Sequence, residues 1–166
     1  MKLYEVISGY KNIMWNKDVS IRTATPKDFE TLYETGLATP EFQVSSNGEF
    51  MDRDEFMSAI KNPNGTFLVA ELDSRIAGLI YANRGDIERA PKTQWACLVY
   101  LVIKPEFRKK GIAQELYNAC IKELKNYRIS RIYGWANSES DGSIVKFMSK
   151  NGFTKGHKYL WMDKEI

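Results

Sequence analysis

Nine consecutive uncharged residues, Trp95-Ala96-Cys97-Leu98-Val99-Tyr100-Leu101-Val102-Ile103, run into Lys104-Pro105, and an amphipathic stretch opens soon afterwards at Ile112. An apolar run of that length, with several β-branched residues, predicts a long strand. Pro105 has no N–H to donate, which suits the end of a strand but not its centre. Further on, Ile112, Ala113, Leu116, Tyr117, Cys120, Ile121 and Leu124 share one helical stripe. Gln114, Glu115, Asn118, Lys122 and Lys125 lie opposite. The chain therefore passes from strand to helix through one short basic loop, Glu106-Phe107-Arg108-Lys109-Lys110-Gly111.

That loop has the makings of an anion site. A helix start leaves its first N–H groups without intrahelical partners and carries partial positive charge. Gly111 lets the backbone approach a ligand with no side chain in the way. Arg108, Lys109 and Lys110 add full charges, and the sum suits a pyrophosphate or a similar anion. A connector with a solvated basic patch is the other reading of the same residues. The G-x-x-x-x-G-K-[ST] pattern of nucleotide hydrolases is absent.

The remaining elements follow in order. Residues 1–18 form an N-terminal extension, and the domain proper runs over 19–166. Val19-Ser20-Ile21-Arg22 alternates as a half-buried strand does. Thr25-Pro26-Lys27-Asp28 starts a helix whose apolar face is Phe29, Leu32, Tyr33 and Leu37. A long polar connection spans 38–51. Asp52 and Glu55 then form an acidic capping box for a second helix with Phe56, Met57 and Ile60 on its apolar face, ended by Asn62-Pro63. Strands over 67–72 and 76–81 flank Asp73-Ser74-Arg75 as a hairpin. A charged loop over 83–93 precedes the long strand. A strand over 131–136, a polar loop over 137–141, a helix over 143–151 closed by Gly152, and a strand over 158–162 complete the chain.

Composition narrows the function classes. At 166 residues the chain fits one domain with a sizeable core. Its 24 basic and 21 acidic residues leave a net charge of +3, too mild and too dispersed for a nucleic-acid partner. No stretch approaches the ~18 apolar residues that span a membrane, and the N-terminus lacks the apolar centre of a secretory leader. Cys97 and Cys120 have no metal or redox spacing, and a single histidine, His157, excludes a multi-histidine metal centre, so no metal is expected. These features suit a soluble cytoplasmic protein, and the sequence is compatible with a homodimer.

The stretch L-x-V/I-x-P-x-x-R-x-x-G-x-A, with Arg108, Gly111 and Ala113 at its marked positions, resembles the acetyl-CoA loop of the GNAT superfamily of N-acetyltransferases. The order strand–helix–helix–strand–strand–strand–helix–strand–helix–strand and the closing Asn151-Gly152-Phe153 are similar to that family too. The resemblance covers about residues 19–164. It implies an α/β (α+β) fold of a single GNAT-like domain: a central mixed, largely antiparallel sheet with splayed middle strands, flanked by about four helices. It also implies acetyl-CoA as cosubstrate. The backbone of Leu101, Val102 and Ile103 would lie along the pantetheine arm, and the N–H groups of Lys109, Lys110, Gly111, Ile112 and Ala113, beside Arg108, would hold the pyrophosphate. Asn137 and Ser143 would hydrogen-bond the coenzyme, unless they only form turns and caps.

By the same resemblance the reaction is direct attack of a primary amine on the thioester, the acceptor being a small molecule or a peptide. The chain departs from the family pattern in two places. Cys97 and Val99 stand where many members carry a glutamate base, and Met148 stands where many carry a tyrosine acid. No catalytic side chain is assigned on sequence. An acyl-CoA-binding sensor or interaction domain without turnover is the alternative. Glu41, Glu49, Asp52, Asp54 and Glu55, against a single Arg53, read either as an acidic mouth for a cationic amine or as a solvated helix start.

Overall fold

Two adjoining strands, β2 (Gly65–Leu72) and β3 (Arg75–Asn83), are buried on both faces and form the centre of the sheet. The computed structural model describes residues 19–42, 50–84, 95–137, 142–158 and 164. Along β2 the side chains alternate between two cores. Phe67 and Val69 face α1 (Phe29–Leu37) and α2 (Arg53–Lys61), while Leu68, Ala70 and Leu72 face α3 (Ile112–Asn126). Such near-continuous apolar runs are what a doubly covered strand requires. The sheet order is β1-β2-β3-β4-β5, with β1 (Val19–Thr23), β4 (Trp95–Ile103) and β5 (Arg131–Gly134). The first four strands pair antiparallel. β5 joins β4 in parallel after the crossover through α3, and α4 (Ser143–Lys150) follows. The mixed, largely antiparallel α/β domain with four helices is thus as expected.

Local chemistry accounts for the boundaries. Leu72 pairs with Arg75, so the β2–β3 hairpin has a two-residue loop, Asp73-Ser74, with φ of 51° and 59°. Positive φ at both positions is the twist that a tight hairpin needs, and aspartate tolerates it. Asp52 caps α2 by accepting from the N–H groups of Asp54 (2.8 Å) and Glu55 (3.4 Å). No return bond from Glu55 is found among the described residues, so only half of the expected box forms. In α3, Ile112, Leu116, Tyr117, Cys120 and Leu124 are buried, as the stripe predicted. Burial pushes the Cys120 thiol up to about 12, which keeps it a neutral apolar residue.

Three expectations are corrected. Leu37 is 48% exposed, and Gly36 takes its place on the inner face of α1, because the Phe50 ring occupies the space where any Cβ at Gly36 would stand. The first helix is preceded by a 3₁₀ turn, Pro26–Asp28. The strand over 131–136 ends at Gly134, leaving Trp135 66% exposed. The extension over 1–18, most of the charged loop over 83–93 and the final strand over 158–162, apart from Lys158, lie outside the described residues. Among the described residues no helix is long and apolar enough to cross a membrane, and no cluster of metal-binding side chains occurs.

Arg22 of β1 fastens the first helix to the sheet. Its guanidinium donates to both Asp28 oxygens at 2.8 Å and to Glu71 at 2.6 and 3.0 Å. Asp28 also accepts from the Thr25 N–H (2.7 Å) and hydroxyl (2.9 Å). The Arg22 bond is the chief cause that holds the Asp28 carboxyl at about 2 instead of 3.8. A depressed carboxyl stabilises the fold above its unfolded value of 3.8 and loses that contribution as pH falls through about 2. We therefore expect Asp28→Asn to cost about 1–2 kcal/mol near neutrality. The gap to the unaltered chain should close as pH drops toward 2, as read by urea denaturation across acid pH. A gap that stays constant with pH would contradict this account.

Candidate active site

The site begins with one extra residue in β4. Its register with β3 pairs Ile103 with Gly78 through to Tyr100 with Tyr81, and then steps to Leu98 with Ala82. Val99 is left over, as a β-bulge. The bulge reverses which face each side chain meets. Ahead of it, Ala96 and Leu98 face the α3 core; beyond it, Tyr100 and Val102 face the α1/α2 core. Val99 itself is 36% exposed.

β4 and β5 then part. Their parallel pairing runs from Trp95 with Arg131 to Leu98 with Gly134, where β5 ends, while β4 continues to Ile103. Gly134 sits at the junction: a Cβ there would lie 2.8 Å from the Leu98 carbonyl oxygen. Past that point one edge of β4 has no strand beside it among the described residues. The Lys104 N–H donates to the Ala77 carbonyl (2.9 Å), which sets the phase of the β3–β4 ladder. Antiparallel exchange falls on alternate residues, so Tyr100 and Val102 turn their peptides toward β3, and Leu101 and Ile103 turn theirs toward the open edge. Arg108 marks that edge by donating from Nε to the Ile103 carbonyl (3.1 Å). Val102, by contrast, has its side chain buried in the α1/α2 core.

The loop continues the edge. Pro105–Phe107 forms a 3₁₀ turn with Phe107 buried as an anchor, and Arg108, Lys109, Lys110 and Gly111 are exposed. Lys110 Nζ and the Arg75 guanidinium both lie over the Phe107 ring, at 5.4 and 4.9 Å. Lys109 and Gly111 adopt left-handed backbone, with φ of 62° and 80°. Alternation of left- and right-handed residues turns successive N–H groups into one concavity. The first N–H donors of α3 to find carbonyls are those of Gln114 and Glu115, both on the Gly111 oxygen. For Lys109, Lys110, Gly111, Ile112 and Ala113 no acceptor is found among the described residues. A Cβ at Gly111 would meet nothing within 4 Å, so glycine is required there by its backbone angle and not by space.

Leu101, Ile103, Arg108, Lys109, Lys110, Gly111, Ile112 and Ala113 thus lie along one surface, from strand edge to helix mouth. Ile112 contributes only its backbone, its side chain being buried. Asn137 follows β5 and Ser143 opens α4; both are exposed, and residues 138–141 between them lie outside the described part. The departures from the family pattern are plain in the structure: Cys97 is half-buried, Val99 is the bulge residue, and Met148 is buried.

Sequence reasoning missed two groups. Tyr100 faces a cluster of half-buried aromatic rings, with Phe42 at 4.7 Å and Phe50 at 6.0 Å between centroids, and its hydroxyl points at Met51 Sδ (3.7 Å). Burial, with Glu55 and Tyr81 nearby, pushes its phenol up to about 12. Burial also raises the phenol of neighbouring Tyr81. The signal was a tyrosine within an otherwise aliphatic stretch of strand. Gln114, read as solvent-facing, is instead bonded to Asn151.

Comparison with known proteins agrees with this fold. A structure of a transcriptional regulator from Bacillus halodurans C-125 superposes with a TM-score of 0.69 at 19% identity, covering 88% of this chain and 99% of that one. The PaiA N-acetyltransferase of Thermoplasma acidophilum, solved in complex with coenzyme A, gives 0.63 at 22% identity, covering 82% and 89%. An aminoglycoside acetyltransferase, meta-AAC0020 from an uncultured soil metagenomic sample, solved with sisomicin, gives 0.67 at 15%, covering 90% and 97%. At these identities the similarity is one of fold. No curated protein sequence matches the chain. The sequence pattern of the Acetyltransferase (GNAT) family matches residues 30–153, and on that match the chain is a member of the GNAT acetyltransferase family.

Proposed function

We propose that this protein transfers an acetyl group from acetyl-CoA to a primary amine by direct attack in a ternary complex. One observation carries the reading: the donor-rich loop from Lys109 to Ala113 is continuous with the open edge of β4 at Leu101 and Ile103. The loop N–H groups and Arg108 suit the diphosphate. The edge-facing peptide groups of Leu101 and Ile103, the Ile103 carbonyl already accepting from Arg108, suit the amides of an extended pantetheine arm, which would lie beside β4 as an added strand. A main-chain N–H at the bulge would donate to the thioester oxygen as negative charge develops on it. Asn137 and Ser143 would bond the coenzyme from the far side of the cleft. Cys120, buried in the α3 core, is kept as a thiol, which suits a reducing cytoplasm.

Proton handling limits the acceptor. Cys97, Val99 and Met148 provide no carboxylate, and phenols raised as those of Tyr81 and Tyr100 are stay protonated near neutrality. The amine then either passes its proton through water to a base elsewhere on the protein or arrives neutral. For a lysine-like amine of pKa ~10.4 that costs about 4.6 kcal/mol at neutral pH, against about 1.4 for an α-amine near ~8. An acceptor of low pKa is favoured. The PaiA enzyme and the soil aminoglycoside acetyltransferase support amine acetylation as the class of reaction. A sensor that binds acyl-CoA without turnover is the second reading, and the uncharged Val99 and Met148 favour it.

Two outcomes are expected. Gly111→Val forces a β-branched residue into left-handed backbone and should weaken coenzyme A binding at least ~10-fold by calorimetry, with the circular dichroism spectrum unchanged. Unaltered affinity would remove the loop from the site. In thiol-release assays, kcat/KM for the acceptor should rise with pH up to the acceptor's own pKa. The break should move from near ~8 to near ~10 when an α-amine is replaced by an alkylamine. A break at one fixed pH for all acceptors would point to an enzyme base instead. Coenzyme binding without acceptor-dependent thiol release would establish the sensor.

A further inference from the structure

A two-way amide pair joins the mouth of α3 to the end of α4. Gln114 Nε2 donates to Asn151 Oδ1 at 2.8 Å, and Asn151 Nδ2 donates back to Gln114 Oε1 at 3.3 Å. Each amide is also tied to its own helix: Gln114 to Asn118 Oδ1 (3.0 Å) and Asn151 to the Phe147 carbonyl (3.0 Å). The α4 end is itself stiff. Gly152 is left-handed with φ of 83°, the Phe153 N–H reaches the Met148 carbonyl (3.0 Å), and the Gly152 N–H reaches Ser149 (3.1 Å). That is the Schellman closure, and it fixes Asn151 in place. On the α3 side, the Gln114 N–H bonds the Gly111 carbonyl (3.0 Å), so the amide pair and the donor loop share one turn.

α4 also reaches the other end of the site. Met148 is buried, with Cε 3.5 Å from where a Cβ on Gly134 would stand, and Gly134 is the last residue of β5 paired with β4. One short helix therefore reaches the first turn of α3 through Asn151 and the parting of the strands through Met148. We infer that Gln114 and Asn151 are positioning residues: their pair sets the spacing between the donor loop and the cleft, and so the place at which the thioester carbonyl is held. This rests on the reading given under Proposed function. A carboxamide pair suits the task. It is neutral, so it places no carboxylate beside a bound diphosphate, and its two opposed bonds fix angle as well as distance.

The test reads geometry separately from grip. Gln114→Met and Asn151→Leu keep bulk and remove the pairing; the exchange Gln114→Asn with Asn151→Gln restores an amide pair of the same total length. The probes are coenzyme A, for affinity by calorimetry, and acetyl-CoA labelled with ¹³C at the thioester carbonyl, for its bound chemical shift. We expect both single variants to bind coenzyme A within about threefold of the unaltered chain. They should lose most of the bound-minus-free carbonyl shift, and the exchange should recover it. A carbonyl shift untouched in the variants, with only a lower melting temperature, would make the pair merely structural and overturn the proposal. Affinity falling tenfold or more with the shift kept would overturn it too, by placing the pair in the grip. If the unaltered chain binds no coenzyme A, the reading beneath fails, and this inference with it. The milder Asn151→Ser, read the same way, replaces any variant that does not fold.

Discussion

Partway along, β4 changes which alternate residues meet each core and loses the strand beside it, and the extra residue at Val99 marks that place. A strand with unbroken alternation would present one set of side chains to each face along its whole length. Here the half paired with β5 gives Ala96 and Leu98 to the α3 side, whereas the half beyond gives Tyr100 and Val102 to the α1/α2 side. Bulges bend a strand and increase its local twist. The step in register falls within one residue of the last β4–β5 pair, Leu98 with Gly134. The bulge and the end of the β4–β5 pairing therefore fall at one place, and Leu101 and Ile103 lie just beyond it.

The donor loop is held from both ends by apolar anchors. Phe107 before it and Ile112 after it are buried in the same core, so the four exposed residues between them span a fixed gap. Within that gap Lys109 accepts a left-handed backbone without being glycine, at a cost of roughly 1 kcal/mol. The arrangement of N–H groups is therefore set by the fold and does not await a ligand. Preorganised donors of this kind spare the ordering that a flexible loop would undergo on binding.

Much of this was readable in advance, and what escaped did so for definable reasons. Pro105, Gly111 and the stripe from Ile112 to Leu124 located the loop because each departs sharply from its neighbours. The bulge at Val99 could not be read, since a strand that is apolar toward both faces shows no fault in alternation. Leu37 was preferred over Gly36 on hydrophobicity alone; the deciding partner, Phe50, comes from a different part of the chain. β5 stops at Gly134, where its pairing with β4 ends, although Trp135 favours strand structure. Gln114 was assigned to solvent as a polar residue, and only the packing of α4 supplies the second amide that employs it.

The contact between Gly36 and Phe50 bears on how such a protein can vary. The ring fills the place of a methyl carbon on residue 36, and it also touches Phe42, Tyr33, Phe56 and Tyr100. Enlarging residue 36 alone drives the ring out of that group, while shrinking residue 50 alone leaves a hole beneath the tyrosine next to the cleft. The two positions are therefore bound into a single choice. Lineages that alter one should carry a compensating change in the other, a correlated pair joining the first helix to the approach of the second.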